Sequence, residues 1–100
     1  EINDQRGKAN CLGNLGNTWA ELGNEHKAIT SYEQALIITR EINDQNGEAN
    51  ALYNIAISTW QLNRREDAIN LAQEALDIFS EIESPNVMVV SKTLSVWRAQ

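Results

Sequence analysis

Five asparagines are the residues of this chain best placed to do chemistry. Asn10, Asn14 and Asn17 are spaced i, i+4, i+7, and Asn50 and Asn54 repeat the first two forty residues later. On a helix that spacing lines one face. Asparagine is a mediocre helix former because its side chain competes for backbone hydrogen bonds. Three on one stripe therefore cost stability that glutamate or lysine would not. Each amide offers two donors and an acceptor, the set that matches a peptide backbone, extended or helical. A merely polar outer face with a bias toward asparagine would use the same residues.

Little else converges. His26 is the only histidine and stands beside Glu25 and Lys27 in the first turn of a helical pattern, where a solvated side chain is expected. Cys11 reads as a small side chain near a helix packing surface rather than a nucleophile. Gly13-Asn14-Leu15-Gly16 lies inside a helical pattern with no preceding strand and no lysine, so it is no phosphate cradle. The carboxylates of Glu66, Asp67, Glu81 and Glu83 have no histidine partner, and no metal site is argued. No catalytic residue, no metal and no cofactor is expected.

The composition narrows the partners. The net charge is −6 and the isoelectric point near 4.6. An acidic chain is a poor match for nucleic-acid phosphates or anionic lipid, which need a cationic surface. A single cysteine excludes an internal disulfide and fits a reducing compartment, so a cytoplasmic location is expected. No apolar run approaches the roughly twenty residues of a membrane span, and no signal-peptide pattern opens the chain.

The elements that position the asparagines follow from one period. Residues 1–40 lie over 41–80 without a gap and are identical at sixteen positions, and a third copy starts at Glu81-Ile82-Glu83. A period of that length marks a stacked array in which each unit buries its apolar face against a neighbour. At 100° per residue, Ala9, Leu12, Leu15, Gly16, Trp19 and Leu22 fall on one side of a first helix over Gln5–Leu22. Asp4 is placed to cap its start, Gly23 to end it in the left-handed region, and Asn24 to cap the next helix.

The second helix runs from Glu25 to about Ile42, with Ala28, Ile29, Tyr32, Ala35 and Leu36 on one face. The third, from about Gln45 to Leu62, turns Ala49, Leu52, Ile55, Ala56 and Leu62 inward, and Asn63 takes the place of Gly23. The fourth spans about Arg65–Ile82, with Ala68, Ile69, Ala72, Ala75, Leu76 and Phe79 on one face. Ser84-Pro85 starts a fifth that carries Val87, Val90, Leu94 and Trp97. There is no period-two alternation and no hairpin dipeptide, so the fold is all α. The chain opens inside a repeat motif and closes inside a helical pattern, which points to a stretch of a longer array.

These residues resemble the tetratricopeptide repeat in its long, forty-residue variant. The match falls on Leu12, Leu15-Gly16, Trp19, Gly23, Ala28, Tyr32 and Ala35, and in the second copy on Leu52, Ile55, Ala56, Ala68 and Ala75. Gly16 and Ala28 would be small where the two helices of a repeat cross, and Tyr32 and Ala35 would pack toward the next repeat. Thr59 and Ala72 stand where the family prefers large aromatics, with Trp60 one position along, and Lys92 and Ser95 weaken the third copy. The resemblance implies one domain over 1–100, a right-handed α-solenoid. Its parts are repeat one at 4–42, repeat two at 44–82, and a capping or truncated helix at 84–100.

In that family the first helix of each repeat lines a concave groove that captures a peptide or helix of a protein partner. Carried over by position, the groove takes Asn10, Asn14, Asn17 and Glu21 from repeat one. Repeat two adds Asn50, Tyr53, Asn54, Ile57, Trp60 and Gln61, and the last helix adds Trp97. Tyr53 and Trp60 are either exposed anchors there or packing residues against the next helix. A basic carboxylate clamp of the chaperone-binding kind has no counterpart, because Arg64 and Arg65 sit in a turn and no lysine joins the asparagines. The implied function is a non-enzymatic protein-interaction scaffold. A regulatory segment of a larger protein is the alternative, and so is self-association through ends exposed around Tyr32 and Ala35 or Val90 and Leu94.

Overall fold

The computed structural model describes residues 1–100, the side chain of Ile2 excepted. Five helices follow one another: α1 (Ile2–Glu21), α2 (Glu25–Glu41), α3 (Gln45–Gln61), α4 (Arg65–Glu81) and α5 (Asn86–Arg98), with no strand among the described residues. Each packs chiefly on the next, and α1 and α3 both lie on α2. The array measures 44 × 32 × 17 Å. Its thinnest dimension suits two helix layers about 8–10 Å apart, an inner one of α1, α3 and α5 and an outer one of α2 and α4.

The turns explain why the chain folds back on itself four times. Gly23, Asn43, Asn63 and Glu83 all have positive φ, between 54° and 79°. At each one the same pair of bonds closes the helix behind it. The Asn24 N–H donates to Trp19 O at 2.9 Å and the Gly23 N–H to Ala20 O at 3.0 Å. Asp44 and Asn43, Arg64 and Asn63, and Ser84 and Glu83 donate in the same way. This is the Schellman closure, which satisfies carbonyls that a helix end leaves orphaned. Helix starts follow at once: Asn24 Oδ1 accepts from the Lys27 N–H at 3.1 Å, and Asp44 Oδ1 from the Gly47 N–H at 3.0 Å. Ser84 Oγ accepts from the Asn86 N–H at 3.1 Å, but α5 begins at Asn86 with Pro85 as its N-cap residue, one position later than the expected serine cap and proline start.

Alanine makes the crossings close. Ala28, Ala49, Ala56, Ala68, Ala72 and Ala75 are fully buried, and Leu52, Phe79, Val90, Leu94 and Trp97 fill the space between layers.

Four expectations are corrected. Asp4 does not cap α1, which already runs from Ile2 and holds Asp4 in its first turn. The identical Asp44 does cap, because Asn43 in the left-handed region breaks the chain just before it. Leu15 and Leu22 are exposed, since no helix covers that side of α1. Tyr32 and Ala35 pack within their own repeat, Tyr32 over Gly16 and Ala35 among Ala9, Leu12 and Ile38. Both also face the next one, Tyr32 in a buried cluster with Ala49, Leu52 and Ile55 and Ala35 in a hollow with Asn50 and Ala51. They are buried, as are Val90 and Leu94, so none of the four forms an open end. The large apolar side chains exposed instead are Leu15, Leu22 and Ile37 on the first hairpin, Ile57 on α3, and Met88, Val89 and Val96 on α5.

Candidate functional site

Because α1 and α3 rest side by side on α2, a groove runs between them. One wall carries Asn10, Asn14 and Asn17, the other Asn50 and Asn54, and Tyr32, Ala35 and Thr39 of α2 form the floor of a hollow of about 410 Å³. The groove continues past Asn17 and Asn54 into a second hollow of about 420 Å³ lined by Glu21, Glu25, Ile57, Ser58 and Gln61. Eight of the expected residues are therefore brought together: Asn10, Asn14, Asn17, Glu21, Asn50, Asn54, Ile57 and Gln61.

Gly16 sets how deep this floor can be. A Cβ there would lie 2.5 Å from Tyr32 Cε1, so the ring can reach across α1 only over a glycine. The Tyr32 hydroxyl then donates to Asn17 Oδ1 at 2.6 Å. That bond turns the Asn17 carbonyl toward the floor and its NH₂ donors away from it. Burial, and after it the carboxylates of Glu25 and Glu21, raise the Tyr32 pKa above its ordinary value, so the phenol stays a donor. The other groove asparagines are exposed or half-buried at the surface of the hollow. The site thus presents amides, mostly open to solvent, over an aromatic floor with two carboxylates at one end.

The three aromatics expected in the groove are engaged elsewhere. Trp60 stacks on Trp97 with ring centroids 4.5 Å apart and planes 4° from parallel, and Arg65 lies over the Trp60 ring at 5.0 Å. Trp97 is buried. Tyr53 shares a 2.7 Å hydrogen bond with the Thr93 hydroxyl of α5. Of the two expectations for Tyr53 and Trp60, the geometry is that of packing on the next helix. Tyr53 keeps one face toward a smaller hollow of about 210 Å³ between α3 and α5, shared with Asn50, Phe79, Asn86, Val89 and Val90.

Sequence reasoning missed Tyr32, Thr39, Glu25 and Ser58 as lining residues. A signal for Tyr32 existed in the period itself: Gly16 and Tyr32 of the first copy become Ala56 and Ala72 in the second, a reciprocal exchange of volume. Cys11, expected near a packing surface, is exposed, and His26 is exposed as expected. Among the described residues no three His, Cys, Asp or Glu side chains gather as a metal site would require.

A model of the tetratricopeptide repeat matches residues 7–81, three quarters of the chain. The chain belongs to the tetratricopeptide-repeat family. A search of the curated proteins finds no match to it. Its helical hairpins are those of a tetratricopeptide solenoid, and such repeats mediate protein–protein interaction as non-enzymatic scaffolds. No helix of this tetratricopeptide chain, among the described residues, is long and apolar enough to cross a membrane.

Proposed function

We propose that the groove between α1 and α3 binds a peptide segment of a protein partner through its main chain. The carrying observation is that five asparagine amides from two helices face one another across a single hollow. Side-chain amides can both donate to and accept from a peptide bond, and binding of this kind depends little on ligand sequence. Specificity then comes from the ends. Glu21 and Glu25 favour a basic or polar residue at one end of the ligand. The hollow at Tyr53, Phe79 and Val89 favours an apolar one at the other. Trp60 and Trp97 leave the set of contact residues in this reading and act by holding α5 on the array.

A peptide-library selection on the chain tests this. The enriched peptide should lose about tenfold or more in affinity for the Asn14→Ala/Asn54→Ala variant, at roughly 1 kcal/mol per lost bond, while circular dichroism stays helical. Trp60→Ala should keep the affinity and lower the melting temperature. Equal binding by the asparagine variant, or no enriched peptide, sinks the reading.

A further inference from the structure

The chain holds twelve asparagines, and at Asn46-Gly47 alone a glycine follows one. The step falls in the first turn of α3, with Asn46 exposed and Gly47 half-buried. An asparagine followed by glycine can modify itself without an enzyme. The glycine nitrogen attacks the side-chain amide carbon, and no Cβ on the glycine obstructs the ring that forms.

Packing explains why so reactive a step stands here. A Cβ on Gly47 would lie 2.5 Å from Asp44 Oδ2 and 2.8 Å from Thr39 Cγ2, so glycine is what fits at this junction of α2 and α3. The first copy has Arg6-Gly7 at the same positions, with no amide to react and nothing within 4 Å of the Gly7 Cβ position. The packing that requires glycine also restrains its nitrogen. The Gly47 N–H donates to Asp44 Oδ1 at 3.0 Å, and Arg6 Nε lies 3.7 Å from Oδ2 of the same carboxylate. Taking the proton from that nitrogen in place would set one negative charge against another. Helical backbone, with ψ near about −42°, also carries the nitrogen along the axis and away from the Asn46 side chain. Attack therefore waits for the turn to open.

We propose that Asn46 is a self-modification site, kept closed by the Asp44 cap and exposed to reaction when the first turn of α3 opens. In the open turn the Gly47 nitrogen gives its proton to solvent and bonds to Asn46 Cγ. The Cγ–Nδ2 bond breaks, and the amide nitrogen takes up a proton and leaves as ammonia. A cyclic imide remains. Water then cleaves it at Cγ, giving aspartate, or at the main-chain carbonyl carbon, giving isoaspartate. One water is consumed and one ammonia released, and nothing is oxidised or reduced. Isoaspartate puts an extra carbon into the main chain where the cap needs helical spacing, so an opening that reacts is recorded at the junction of the two repeats.

The test incubates the intact chain at neutral pH beside a synthetic peptide of residues 41–50 and follows the amide-to-acid mass gain. In the chain it is read on the tryptic peptide 41–64, with fragment ions placing it at Asn46. The synthetic peptide should convert about tenfold faster than the chain or more, because it has no helix to open. Asp44→Ala should speed the chain about fivefold, the scale of opening that a helix cap restrains. Asp44→Asn keeps a capping oxygen and should return the rate close to the native one. Both variants are read below their melting temperatures, with circular dichroism still helical. Equal rates for peptide and intact chain would overturn the proposal, since the turn would then protect nothing. A rate unchanged or slowed by Asp44→Ala would overturn the role of the cap, as would an Asp44→Asn chain as fast as Asp44→Ala. A synthetic peptide that does not convert leaves no site to guard and overturns it too.

Discussion

The two hairpins share a backbone plan and spend their large side chains differently. The first places Tyr32 under the groove, over Gly16 and against Asn17, and has only Thr39 at the end of α2. In the second hairpin the same positions are Ala72, Ala56, Ile57 and Phe79. Phe79 lies with Val90 and Leu94 in the core and lines the hollow beneath α5. Trp60, at the position of Ala20, stacks on Trp97 of the same helix. The first hairpin thus places its large ring under the groove, and the second places its own under α5. A repeat can exchange one task for the other by moving aromatic volume along a fixed helical frame, because each crossing needs only that one partner be small.

The most severe way to break the comparison is to remove the anchor. Phe79 is almost fully buried, so Phe79→Ala should cost about 3–5 kcal/mol. Against a total of about 5–15 kcal/mol for a domain of this size, that loss releases α5 and lowers the urea midpoint steeply. The matching change in the first hairpin, Thr39→Ala, removes a hydroxyl bonded to Leu36 O at 2.9 Å and should cost about 1 kcal/mol. Equal urea midpoints for the two variants would mean that the hairpins are not specialised as their packing implies.

A smaller change sharpens the comparison at the groove floor. Gly16→Ala gains about 1 kcal/mol of helix propensity but drives a methyl into the Tyr32 ring, an overpacking worth about 1–3 kcal/mol. The net effect should be a destabilisation of about 1 kcal/mol in thermal or urea unfolding. With Tyr32→Ala already present the methyl no longer meets the ring, and Gly16→Ala should become stabilising. That reversal of sign, read from a double-mutant cycle, is the outcome required if Gly16 is small for the sake of Tyr32. Additive effects would remove the ring contact from the explanation.

The sequence made some of this legible and hid the rest for physical reasons. Helical spacing places residues on a face, so the asparagine stripe could be read directly, and the hollow holds all five. Which neighbour a face meets is a tertiary fact. On the wheel of α3 Trp60 could be an exposed anchor or a packing residue, because nothing local announces that Trp97 of α5 comes to lie on it. Tyr32 was assigned to the packing toward the next repeat and not to the groove floor, although its exchange with Gly16 was written in the two copies. Capping shows the same limit. Asp4 and Asp44 sit in identical local sequence, yet only Asp44 caps, because a cap needs a chain break before it. Gly23 and Asn63 announced their turns by residue type, whereas Glu83 did not.

Glu83 carries the last and smallest test. All four turns close with the same hydrogen bonds, but their left-handed residues are Gly23, Asn43, Asn63 and Glu83. A side chain with a Cβ is strained at positive φ, asparagine less than most and glutamate without relief. The turn before α5 is therefore held by the packing of α5, not by local preference. Glu83→Gly should remove that strain, and the added freedom of the unfolded glycine offsets part of the gain. A rise of about 0.5–1 kcal/mol in stability is expected, read as a small upward shift in melting temperature. Gly23→Ala should move the first turn the other way by about 1 kcal/mol, since nothing lies within 4 Å of its Cβ position and only φ opposes it. If Glu83→Gly were instead destabilising, the carboxylate would have a role in seating α5 that its backbone angle does not reveal.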